Sequence, residues 1–196
     1  MTPDPAGKIF TGVDKGWIEL AGLDPAGVCK RTLARHDGSG YVLRFMDLDL
    51  NINPVENRIC CPGNPSFKIG FNLQLSALAY LVNAKEIEPS GEWVLAKELT
   101  DGEAFFAASH VIPTERLVKK YGACVDAFIE KIVGMGGKRL DYNDYSVAIN
   151  AFPRIPVAFV WWPGGSEFET NLGVLFDKTS DRHMLLDALW ALSLET

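Results

Sequence analysis

Val157 to Trp162, the run VAFVWW, constrains this chain more than any other stretch, because it is apolar at every position. A strand with one face in water alternates polar and apolar side chains, so a run without alternation is covered on both faces and belongs inside a sheet. Turn chemistry brackets it. Phe152-Pro153-Arg154-Ile155-Pro156 precedes it and Pro163-Gly164-Gly165-Ser166 follows it, and proline and glycine end ladders and open turns. Before the first turn, Tyr145, Val147 and Ile149 alternate with Ser146, Ala148 and Asn150; after the second, Leu172, Val174 and Phe176 alternate with Gly173, Leu175 and Asp177. A parallel return needs about a dozen residues or more, and these connections are shorter. The stretch therefore predicts a three-stranded antiparallel meander.

The remainder reads mostly as helices. Trp17 to Ala21 predicts a short helix ended by Gly22, and Asp24-Pro25 reads as a cap and first helical residue opening a second helix to about Arg35, closed by a His36-Asp37-Gly38 turn. Tyr41 to Phe45, and then Leu48, Leu50 and Ile52, predict a hairpin. Asn53 to Pro65 reads as loop. From Ile69 to Val82 the length and the Ala/Leu-rich end favour a buried helix. Pro89 to Val94 is a turn entering a short segment that ends at Glu98-Leu99. Thr114 to Lys120 and Cys124 to Val133 predict two further helices, and Ser180-Asp181 caps a last one striped by Leu185, Leu189 and Leu192. Helices gathered before and after an antiparallel sheet make the fold class α+β, with the meander packed by helices from the N-terminal half and by a C-terminal helix. Residues 1–13 read as a loose arm and 14–196 as a single domain.

At 196 residues the chain is long enough to bury a core without staples. A net charge of −6 with no cluster of Lys and Arg argues against nucleic acid as a partner; Lys119-Lys120 and Lys30-Arg31 read as solvated helix faces. No run reaches the roughly 18 to 20 apolar residues of a membrane span, and MTPDPAGK lacks the parts of a signal peptide. The expected location is the cytoplasm, with Cys29, Cys60, Cys61 and Cys124 reduced and serving as small core residues or surface thiols, the alternative being a regulatory or metal-binding role. Their spacing matches neither a zinc site nor an iron–sulfur cluster, and His36, His110 and His183 form no ligand pattern, so no metal is expected.

The rim of the central sheet holds the candidate ligand-binding residues. Arg154 lies between two prolines that stiffen its backbone, an arrangement suited to gripping a carboxylate or phosphate, or to pairing with a nearby surface acid. Trp161-Trp162 opens the second turn, and either ring can stack on a flat ligand or lid the core. Gly164-Gly165-Ser166 can offer backbone N–H groups to an anion. Glu167 and Asp177 stand at strand ends as candidate acids or ligand partners, or as turn caps.

These same residues carry a resemblance. FPRIPVAFVWWPGGSEFETNLGVLFD is similar to the C-terminal signature of the prokaryotic family called domain of unknown function 3786, through Pro153, Pro156, Trp162, Gly164, Glu167, Phe168, Leu175, Phe176 and Asp177. LAYLVNA and GEWVLAKEL resemble its upstream segments through Tyr80, Leu81, Gly91, Glu92, Trp93, Val94, Glu98 and Leu99. The resemblance runs from about residue 14 to the end. One departure is the turn that is strongly acidic in the family, which is Gly165-Ser166 here and leaves only Glu167. Relatives fused to a four-cysteine iron–sulfur domain of the kind found in corrinoid proteins imply a role in anaerobic cofactor or one-carbon metabolism. The expectation is a protein that binds a small ligand or cofactor of unknown identity, an accessory factor in such metabolism, with a pocket lined by Trp93, Arg154, Trp162 and Glu167. The alternatives are an enzyme using Glu92, Glu167 or Asp177 as general acid or base, and a structural subunit recognised by a broad apolar patch meeting a protein partner.

Overall fold

The structure, a computed structural model, describes residues 12–107, 110–165 and 168–196. In chain order its elements are α1 (Gly12–Ala21), α2 (Pro25–Thr32), β1 (Arg35–His36), β2 (Tyr41–Phe45), β3 (Leu48–Asn53), β4 (Arg58–Cys60), α3 (Phe71–Asn83), β5 (Trp93–Leu95), a 3-10 turn at Ala96–Glu98, α4 (Gly102–Phe106), α5 (Glu115–Tyr121), α6 (Val125–Gly134), β6 (Lys138–Arg139), β7 (Ser146–Phe152), β8 (Ile155–Trp162), β9 (Asn171–Asp177), α7 (Ser180–His183) and α8 (Leu186–Ser193). The fold is α+β.

The expected meander is the centre of a five-stranded antiparallel sheet ordered β5-β9-β8-β7-β6. Every residue of β8 is buried except Trp162, as its unbroken apolar run requires. Pro153 and Arg154 form a two-residue turn, with Phe152 opposite Ile155. On one face, α6 lays Phe128 edge-on against Phe159 and Trp161, at centroid distances of 5.1 and 5.2 Å. A second, four-stranded antiparallel sheet, β1-β2-β3-β4, meets the first where the Met46 N–H donates to the Ala151 carbonyl oxygen at 3.1 Å and Phe45 packs on Phe152. Helix α3 buries Leu73, Leu78, Tyr80 and Leu81. Its Ser76 hydroxyl donates to the Ala188 carbonyl oxygen of α8 at 3.1 Å.

Local chemistry corrects several boundaries. Asp24 does cap α2, its carboxylate accepting the Gly27 N–H at 2.8 Å, but the helix stops at Thr32. Leu33 takes a left-handed conformation, and Arg35–His36 pair with β2 as an edge strand instead of extending the helix. The region from Asn53 to Pro65 contains β4, paired to β3, because the Asn53 side chain accepts the Val55 and Glu56 N–H groups and folds a tight turn. The last helix is two helices. Met184 is extended and fully buried between α7 and α8, so the leucine stripe belongs to α8 alone and begins only after that break. Helix α1 begins at Gly12, inside the expected arm; the rest of that arm, residues 1–11, lies outside the described residues.

Candidate functional site

The sequence-derived site does not come together. Arg154 sits in the β7–β8 turn and Trp162 at the other end of β8, roughly 23 Å of strand away. Trp93 and Asp177 face each other across β5 and β9, at the Arg154 end. Trp162 is 51% exposed, and its ring lies so close to Gly173 that an added Cβ would approach it to 3.1 Å. A single pocket lined by Trp93, Arg154 and Trp162 is thus excluded by the register of the meander. Glu167 lies outside the described residues.

Arg154 is 3% exposed and turned inward. Its Nε donates to the Arg31 carbonyl oxygen at 2.8 Å and one terminal nitrogen to the Ile87 carbonyl oxygen at 3.1 Å, with Glu88 pairing at the surface. The Arg154 N–H also donates to the Tyr80 hydroxyl. Asp177 is fully buried and accepts five hydrogen bonds, from the N–H and hydroxyl groups of Ser90 and Thr179 and the N–H of Gly91. Burial pushes its carboxyl up, but the bonds from Thr179, Ser90 and Gly91 outweigh it and hold the group below the usual carboxylate range. Gly91 has φ of 76°, a conformation that glycine adopts at little cost. Glu92 is exposed and pairs with Lys178. These residues lock the 85–91 loop, α2, α3 and the sheet end together. Among the described residues no three His, Cys, Asp or Glu side chains converge to hold a metal.

Concavity lies elsewhere. A cleft of about 220 Å³ opens between the β2–β3 hairpin, the loop at Phe67, α5, α6 and the segment at Glu195 and Thr196. Phe45, Leu48, Phe67, Phe128, Ile132 and Met135 make its apolar walls; Lys120, Tyr121 and Lys131 bring polar groups, with Asp47 on the hairpin side. Leu117 and Tyr121, one turn apart on α5, both line it. The Tyr121 ring packs edge-on against Phe128 at 5.3 Å, so the cleft connects through Phe128 to the central strand. Lys120 Nζ stands 5.0 Å from the Tyr121 ring centroid. Partial burial pushes the Tyr121 phenol up, but Lys120 and Lys131 together bring it below the ordinary tyrosine range. Glu195 is the opposite case, its carboxyl held up by burial against a hydrogen bond from Asn72.

None of the sequence candidates placed by the structure lines this cleft. Lys120 is solvent-exposed, as expected of a solvated helix face, and also stands on the rim of this cleft. The sequence signal was limited to Leu117 and Tyr121 at helical spacing beside a lysine pair. A smaller, polar hollow of about 110 Å³ lies on the four-stranded sheet, between Asp37, Asn51, Arg58 and Cys60.

Two antiparallel sheets joined at one edge, a helical layer and a small cleft of mixed character define an α+β protein with a candidate ligand site. The sequence model of the family described as a domain of unknown function (DUF3786) matches residues 24–195, and the chain belongs to that family. No curated protein and no solved structure matches the chain. Tyr80, Gly91 and Asp177, among the residues on which the resemblance was read, build the locked sheet end and the meander, not the cleft.

Proposed function

We propose that this protein binds a small organic molecule in the cleft formed by the β2–β3 hairpin, α5 and α6. The observation that carries the reading is the composition of the cleft: mostly apolar walls, with a few converging polar groups at the rim, the mixture by which binding sites hold and orient a ligand. Its size supports a small guest, since about 220 Å³ falls below the roughly 300–1,000 Å³ of sites for drug-sized ligands. An accessory role in anaerobic corrinoid or one-carbon metabolism, as the family resemblance implies, would then concern a small metabolite and not the corrinoid macrocycle. Four unpaired cysteines support action in a reducing compartment such as the cytoplasm.

Chemical-shift mapping against the small-molecule fraction of a cell extract tests this reading. Shifts at the Leu117, Tyr121 and Ile132 amides are expected in the wild type and lost in Leu117→Trp, whose indole fills the cleft. Equal shifts in both proteins, or shifts confined to other surfaces, would contradict it.

A further inference from the structure

We infer that the molecule taken by this cleft is an organic anion: one ring or a short apolar chain ending in a carboxylate or phosphate that sits beside Lys120, Lys131 and the Tyr121 hydroxyl. The inference rests on the ligand-binding reading above and adds the charge and shape of the ligand.

The cleft is chemically lopsided. Phe45 and Leu48 from the hairpin and Phe128 and Ile132 from α6 form a surface that a polar molecule gains nothing by covering. On the rim stand two cations from different helices, Lys120 of α5 and Lys131 of α6. Some surface cations in this fold are paired, as Lys30 is with Glu86 and Arg139 with Glu130. Among the described residues, neither Lys120 nor Lys131 has a carboxylate within ion-pair distance; both act on the Tyr121 phenol instead. Two ammonium groups lining the same cleft as the Tyr121 phenol, one of them 5.0 Å from its ring centroid, leave a positive field where a hydrogen-bond donor is also present. An anionic head meets both, while its apolar body covers the aromatic wall.

The acidic groups of the cleft are compatible with that guest. Asp47 is exposed in the hairpin turn, where water screens it. Glu195 is partly buried and its carboxyl is held up by desolvation, so it takes a proton more readily than an ordinary glutamate when a second negative charge arrives. Lysine heads are point charges without the planar fork of arginine, so either a carboxylate or a phosphate monoester satisfies them.

Phenylacetate, phenyl phosphate and phenylacetamide, titrated into isotope-labelled protein and followed at the backbone amides of α5, α6 and the hairpin, separate the outcomes. The expected result is that an anion saturates the cleft amides at lower concentration than phenylacetamide, and that Lys120→Met and Lys131→Met each weaken it about threefold to tenfold. Whichever of phenylacetate and phenyl phosphate binds more tightly identifies the head group. Phenylacetamide binding as tightly as phenylacetate, or an affinity unmoved by both lysine variants, would overturn the anion inference and leave the cleft as a site for neutral ligands. If none of the three compounds moves a cleft amide, the ligand-binding reading falls together with the inference.

Discussion

The Arg154 N–H donates to the Tyr80 hydroxyl at 3.1 Å, and that hydroxyl donates onward to the Thr32 carbonyl oxygen at 3.0 Å. One phenol thereby ties the β7–β8 turn to α3 and to the end of α2. Tyr80→Phe keeps the ring stacked on Phe152, 5.0 Å between centroids, and strands a buried N–H and a buried carbonyl. Leaving such groups unpaired costs about 1–3 kcal/mol. A loss near 2 kcal/mol lowers the melting temperature by roughly 4–8 °C in a chain of this size. An unchanged thermal melt would show that this link is not needed.

Arg154 and Glu88 form an ion pair whose two ends differ sharply in exposure, 3% against 78%. Most of the value of the pair therefore lies in the buried guanidinium and its carbonyl partners. Arg154→Ala should destabilise by about 2–4 kcal/mol, through two carbonyl oxygens left without a donor. Glu88→Gln should cost less than about 1 kcal/mol, as exposed charges do. Urea unfolding of the two variants side by side checks the ranking, and equal losses would refute it.

Asp177 gives the fold an acid-sensitive point. Its folded-state pKa lies below that of an unfolded aspartate, about 3.9. The stability it contributes is therefore complete above that value and is lost as the pH falls through the folded pKa. Asp177→Asn should lower stability at pH 7 by about 2 kcal/mol, by removing charge from an acceptor of five hydrogen bonds. The same variant should flatten the decline between pH 4 and pH 2. Denaturation midpoints across that range provide the comparison, and a variant that declines as steeply as the wild type would contradict this role.

Tyr121 and Tyr80 should mark opposite ends of the phenol titration. Lys120 and Lys131 bring Tyr121 down, whereas burial drives Tyr80 far up. In an ultraviolet difference titration, Tyr121→Phe should remove the earliest-ionising phenol, and Lys131→Met should delay it. A first phase that survives Tyr121→Phe would assign the low value to another tyrosine.

Legibility in the sequence followed the range of the physics involved. The meander was readable because alternation and Pro/Gly punctuation are local: Val147, Ile149, Pro153 and Gly164 each act on their own backbone or nearest face. The break at Met184 was not readable, because no proline or glycine marks it between the Ser180-Asp181 start and the stripe of Leu185, Leu189 and Leu192, and only the extended, buried Met184 separates the two helices. Arg154 stood out in the sequence for its flanking prolines, but its guanidinium is held by other parts of the chain. The acceptors it meets, at Arg31 and Ile87, are backbone carbonyls distant in sequence, and no side-chain pattern announces them. The cleft is assembled from Phe45, Phe67, Lys120, Lys131 and Glu195, which touch only after both sheets and α5 have packed.

The central claim is that the cleft holds a small molecule, and the most direct measurement is a native mass spectrum of wild type and Leu117→Trp, both purified without oxygen. The expected result is a wild-type protein carrying an added small mass that collision removes, and a Leu117→Trp protein without it. The same adduct on both proteins, or a bare wild-type chain that gains no mass in the cell extract, would contradict the claim.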